Sequence, residues 1–253
     1  MKQDHLGRPP GSARGAGENA GVHLIDILYT QGFGSRRECR ALVAAGHVRV
    51  AGRLEQDPDA EVATAGLVLT VRGQPWPFRA EALLMLNKPA GYECSRQPQQ
   101  HASVLSLLPA PLLRRGVQPV GRLDQDTTGL LLLTDQGALL HRLTSPRHHV
   151  PKVYEVDTRH PVDEAQIERL LAGVVLHDDP APVRAAACER SGGSTLRLTI
   201  TEGRYHQVKR MLAAVGNRVE RLHRSGFGPL QLPADLAPGQ WRWLNVAEQQ
   251  ALA

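Results

Sequence analysis

Cysteine is scarce: Cys39, Cys94 and Cys188 stand far apart, with no C-x-x-C spacing, which excludes a disulfide framework and a thiolate metal site. Three isolated thiols fit a reducing cytoplasm. No apolar run approaches the ~20 residues of a membrane-spanning helix, and the start lacks the charged, apolar and small-residue segments of a secretory leader. A soluble, cytoplasmic protein with no membrane partner is expected. Aromatic residues make up only 4% of the 253, so a tyrosine set among charged groups is informative. Acidic residues are also the minority, 25 against 30 lysines and arginines, leaving a formal charge of +5. That excess points to an anionic partner, most commonly nucleic acid. The 42% hydrophobic content suffices for a real core, expected as one large domain and one small.

One stretch concentrates chemistry. Between Gly121 and Gly129 lie Arg122, Asp124, Asp126, Thr127 and Thr128, and the run Leu130–Leu133 follows at once. Four leucines bounded by turn residues predict a short strand buried on both faces, which makes the polar segment a loop mounted on a rigid sheet. Such a loop can present a general base or nucleophile, or its aspartates can simply bond their own backbone. Asp124, Asp126, Thr128 and Asp135 mimic the spacing of a calcium loop, but Pro119 precedes them and a strand follows, where a calcium hand requires helices.

Residues 1–21 hold little to bury and are expected to be a disordered tail. From His23 a short amphipathic helix is predicted, then a break, then a helix opened by Ser35 and Glu38 as a capping box. Cys39, Leu42 and Val43 form its buried face, while Arg36, Arg37 and Arg40 share an exposed one. Val48–Val50 and Arg53–Leu54 flank Ala51-Gly52 as a hairpin. Over residues 22–72 this sequence of elements resembles the S4 RNA-binding domain, which implies that Arg36, Arg37 and Arg40 meet RNA phosphates.

Residues 73–80, with Pro75 and Pro77, read as a linker to a second domain spanning 81–253. That domain opens on the apolar strand Leu83–Leu86, with Lys88 expected as an exposed loop lysine beyond it. Residues 101–108 show helical spacing, ended by prolines. Arg147 and Lys152 suggest an anion-binding rim; the adjacent His148 and His149 do not aim at one ion, so no metal is expected. Lys152–Val156 alternates as a strand, with Tyr154 and Lys152 on the face opposite Val153, which makes Tyr154 a candidate platform for a nucleobase. Leu196, Leu198 and Ile200 point inward from another strand. Val208, Met211, Leu212 and Val215 then mark the buried face of a helix whose first turns carry His206, Gln207, Lys209 and Arg210. Cations there oppose the helix dipole and call for an anion nearby.

Gly121-Arg122-Leu123-Asp124 with Asp126-Thr127-Thr128-Gly129, Lys152-Val153-Tyr154, and Glu202-Gly203-Arg204-Tyr205-His206-Gln207-Val208-Lys209-Arg210-Met211 together resemble the pseudouridine synthases. The glycine before Arg122, the S4-like module, Ser145-Pro146-Arg147-His148-His149, Tyr205-His206-Gln207 and Asp235-Leu236-Ala237-Pro238-Gly239 most resemble those acting on small-subunit ribosomal RNA. The resemblance implies an α+β chain: the S4-like module, then a synthase domain with a mixed, mostly antiparallel sheet and flanking helices. It implies isomerisation of uridine in 16S ribosomal RNA or the pre-ribosomal small subunit, by a monomer that needs no cofactor. Asp124 would be the nucleophile or base, Lys209 or Arg210 its charge partner, and Tyr154 the stacking residue. Arg122, Leu222 and Thr128 would line the pocket. Arg147, Lys152, Arg204 and His206 would contact RNA. A large-subunit synthase, an RNA-binding protein without catalysis and a two-carboxylate glycoside hydrolase are the rival readings; Asp124 and Asp126 in one loop disfavour the last.

Overall fold

The computed structural model describes residues 21–177 and 179–252, so the expected tail falls outside the described residues except for Gly21. The chain forms two compact units, one containing the described residues up to Thr30 together with Gly34–Phe78, the other Gln31–Phe33 with the residues from Arg79 onward.

In the smaller unit the helices Leu24–Thr30 and Arg36–Ala44 pack with a four-stranded antiparallel sheet. Leu24, Ile27, Leu28, Cys39, Val43, Val48 and Leu69 are all fully buried. The capping box forms as the sequence requires: the Ser35 hydroxyl accepts from the Glu38 amide, and the Glu38 carboxylate accepts from the Ser35 amide. The linker reading of residues 73–80 is corrected, since Gln74–Pro77 is a strand paired with Val68–Val71. It lies at the edge of the sheet, where proline costs no ladder hydrogen bond.

The larger unit is built on a sheet whose main path runs Ala187–Gly192, Thr195–Ile200, Lys152–Thr158, Val219–Phe227, Thr128–Thr134, Leu83–Lys88, Trp241–Trp243. Only Thr128–Thr134 against Val219–Phe227 pairs in parallel, so the sheet is mixed and mostly antiparallel. Leu130–Leu133 are all fully buried, which contributes about 2 kcal/mol per side chain as an upper estimate. This strand lies near the middle of the sheet and fixes the loop that precedes it. At the crossing Gly129 has φ +105, and a Cβ there would fall 2.3 Å from the Arg224 carbonyl oxygen. The two strands can approach only because the residue is glycine.

The helix expected over 101–108 is instead a single 3-10 turn, Val104–Leu107, and Pro111 lies in the first turn of the next helix, Ala110–Arg114. Proline lacks only an amide that a first turn leaves unbonded, so it starts a helix as readily as it stops one.

Candidate active site

The loop ahead of the leucine strand is held from beneath by Lys88. Its side chain is fully buried, not exposed as the sequence suggested. Nζ donates to the carbonyl oxygens of Thr127 at 2.8 Å, Asp124 at 3.0 Å, Pro89 at 3.1 Å and Gln125 at 3.2 Å. Burial lowers the Lys88 pKa from its ordinary value, against the pull of the nearby Asp126 and Asp124 carboxylates. The Gly91 amide donates to Gln125 O and the Leu123 amide to Cys94 Sγ. With its backbone fixed at these points, the loop can present Asp124 without local freedom.

Lys209, from the first turn of the helix Gln207–Ala214, reaches both loop carboxylates. Nζ lies 2.6 Å from Asp126 Oδ1 and 3.2 Å from Asp124 Oδ2. Burial disfavours the charge on Asp126, yet the Lys209 hydrogen bond and charge outweigh it and hold that carboxyl below its ordinary pKa. Burial likewise works against the Lys209 ammonium, and the two aspartates overcome it to raise its pKa. The anion demanded by cations at this helix start is therefore the loop itself. Arg210, the alternative partner, instead donates to the Tyr205 carbonyl at 3.0 Å. His206 Nε2 completes the cluster, 3.4 Å from Asp124 Oδ1.

A pocket opens beside Asp124. Its wall includes Arg122, Tyr154, Leu222 and His206. Tyr154 and Leu222 come from adjacent antiparallel strands, and both are buried. The sequence placed Tyr154 on the wet face of its strand; in fact it shares the buried face with Val156 and Thr158, while Val153 is only half-buried. The buried face of this strand is lined by the pocket at one end, so an aromatic residue there serves both packing and a ligand. Thr128 is a second correction: its hydroxyl lies 2.9 Å from His223 Nδ1 and the residue is not part of the pocket wall, whereas Thr127 is. The strand begins at Thr128, and successive side chains turn to opposite faces.

The remaining basic groups divide. Arg204 lies near the pocket, but its guanidinium is bound to Asp179 at 2.6 Å and Glu202 at 2.9 Å. Arg147 is exposed on a 3-10 turn, Pro146–His148. In the smaller unit Arg36 pairs with Asp26 and Arg40 with Asp59, whereas Arg37 is exposed and makes no ion pair among the described residues. Lys152 is half-buried, with Nζ 3.4 Å from the Thr201 carbonyl. Burial and the neighbouring Arg224 lower its pKa from 10.5 to about 8. Below about pH 8 the cost of burying its charge is present in full, and it is relieved as pH rises toward 10.5. Lys152→Met should therefore raise the melting temperature at about pH 7, and its advantage should shrink by about pH 10. Thermal melts at the two pH values check this.

A carboxylate lining a pocket with an aromatic wall and paired with one half-buried lysine suits chemistry on a flat ring. Residues 82–214 match the RNA pseudouridylate synthase family, and residues 24–68 match the S4 domain. The chain belongs to the RNA pseudouridylate synthase family, isomerases of uridine in RNA, and carries an S4 domain ahead of the synthase domain. It is 46% identical over 191 residues to ribosomal small subunit pseudouridine synthase A of Escherichia coli, covering 76% of this chain and 80% of that protein. An RNA pseudouridine synthase of Bacillus subtilis is 40% identical over 234 residues, covering 91% and 98% respectively. A crystal structure of a pseudouridylate synthase superposes with a TM-score of 0.65 at 32% identity, covering 92% of this chain and 100% of the other.

Proposed function

We propose that this synthase converts a uridine of 16S ribosomal RNA to pseudouridine, with Asp124 as the reacting carboxylate. The observation that carries the reading is Asp124 beside the pocket walled by Tyr154 and Leu222, its carboxylate 3.2 Å from Lys209 Nζ. The reaction breaks the bond from N1 to C1′, turns the uracil, and joins C5 to C1′. The C5 proton is lost and N1 gains one, so substrate and product have the same atoms. One carboxylate serves this sequence, by attack on ring or sugar or by proton removal at the ribose. Tyr154 and Leu222 face the detached ring, so that it can turn without escaping. Lys209 compensates the charge of Asp124 and Asp126 together. The target base must leave its stack to reach such a pocket.

The small-subunit assignment rests on the similarity to the Escherichia coli synthase, and we take the protein to act as a cytoplasmic monomer. Primer extension after carbodiimide treatment tests the substrate: a new stop in 16S RNA is expected after incubation with the protein. A stop only in 23S RNA would make it a large-subunit synthase. Absence of any stop would favour an RNA-binding role, and free uracil would indicate a hydrolase.

Of Arg36, Arg37 and Arg40 in the S4 unit, Arg37 is the one whose charge no described carboxylate takes up. Arg37→Ala should lower RNA affinity and reduce the salt slope by about one, whereas Arg40→Ala should do less, because Asp59 already holds that guanidinium. Binding titrations across a salt series measure both.

A further inference from the structure

Tyr205 is 73% exposed, the most exposed large hydrophobic residue among those described. It is also held in place. Its ring stacks on His206 with centroids 3.8 Å apart and planes 21° from parallel. Its carbonyl accepts from Arg210. His206 has a left-handed backbone, φ 47, and starts its helix without a side-chain cap, a locally unfavourable arrangement that accompanies the two-ring stack. One ring of the pair reaches Asp124, with Nε2 at 3.4 Å. The other ring turns a face to solvent. Neither the packing of the core nor the charge cluster uses that face.

We propose that the Tyr205–His206 stack is a second base-binding site, which takes an unpaired nucleobase next to the target uridine in the RNA chain. The inference rests on the proposed function and adds a neighbouring nucleotide to it. With the target base in the pocket against Tyr154, the backbone must leave past the pocket wall, and His206 forms part of that wall. A base flipped from its stack leaves its neighbour without a partner on one side. An aromatic face there replaces the lost stacking, whatever the base. A tyrosine suits this because its ring is rigid and its hydroxyl tolerates water.

The test has two readouts on the full chain. The first is tritium release from C5-labelled 16S RNA; the second is quenching of 2-aminopurine beside the single uridine of a short unpaired RNA. Tyr205→Ala should raise KM about tenfold with the effect falling on KM rather than kcat, and should abolish the quenching. Tyr205→Phe and Tyr205→Trp should restore both. An unchanged KM and undiminished quenching in Tyr205→Ala would overturn the proposal, as would a loss in Tyr205→Phe equal to that in Tyr205→Ala, which would show that the hydroxyl docks another partner. If the unsubstituted protein releases no tritium, the proposed function fails. Quenching that depends on Tyr205 would then still support the second site, and its absence would overturn it.

Discussion

Asp124→Asn should abolish turnover, by at least about 10⁴-fold, while RNA affinity stays within about twofold. The substitution keeps the shape of the side chain and removes one negative charge and its nucleophilic or basic oxygen. The loop does not depend on that carboxylate: Lys88 binds the backbone oxygens of Asp124, Gln125 and Thr127, and Lys209 keeps its contact with Asp126 at 2.6 Å. No phosphate contact is lost, and one source of repulsion toward the RNA backbone is gone. Single-turnover rates and filter binding on the same preparations separate the two effects. Asp126→Asn serves as the control. It removes the nearer partner of Lys209 and leaves the reacting group, so it should slow turnover far less.

Lys88→Met should lower stability by about 3 kcal/mol and slow turnover by about 10²-fold. Methionine fills a similar volume but donates nothing. Four carbonyl oxygens, those of Pro89, Asp124, Gln125 and Thr127, would lose their shared donor, and the bond to Thr127 is fully buried. Each unsatisfied buried acceptor costs about 1–3 kcal/mol, offset in part because the buried ammonium goes as well. The loop would then relax, and a displacement of about 1 Å at Asp124 is enough for the expected loss of rate. Lys88→Arg should not rescue, since a planar guanidinium cannot converge on four oxygens around one nitrogen. Denaturant midpoints and single-turnover rates check both variants.

Lys88 also marks the limit of what the sequence reveals. Its partners lie 36 to 39 residues away apart from Pro89, and nothing local distinguishes it from a solvated turn lysine. The loop that carries Asp124 was legible because its signal is local, a polar segment between two glycines joined to four leucines, whereas the choice of Asp124 over Asp126 came from the resemblance to the pseudouridine synthases. The capping box of Ser35 and Glu38 was legible for the same reason. Lys209 was legible in part, since cations at a helix start demand an anion, but which of Lys209 and Arg210 meets it depends on tertiary geometry. Tyr154 and Thr128 were misplaced by one face each. For Tyr154 the alternation was right, but which side of the strand is covered is decided by neighbours far away in sequence. For Thr128 the strand starts one residue after the pocket wall ends. Pro75 and Pro77 read as a linker because proline excludes central strands, and the edge of the small sheet is where that rule relaxes.

The central claim is that Asp124 drives the isomerisation, and tritium release from C5-labelled uridine in 16S RNA tests it most directly, with the unsubstituted protein and Asp124→Asn side by side. Release by the unsubstituted protein alone is the predicted result. Equal release from both proteins would remove Asp124 from the chemistry and contradict the account.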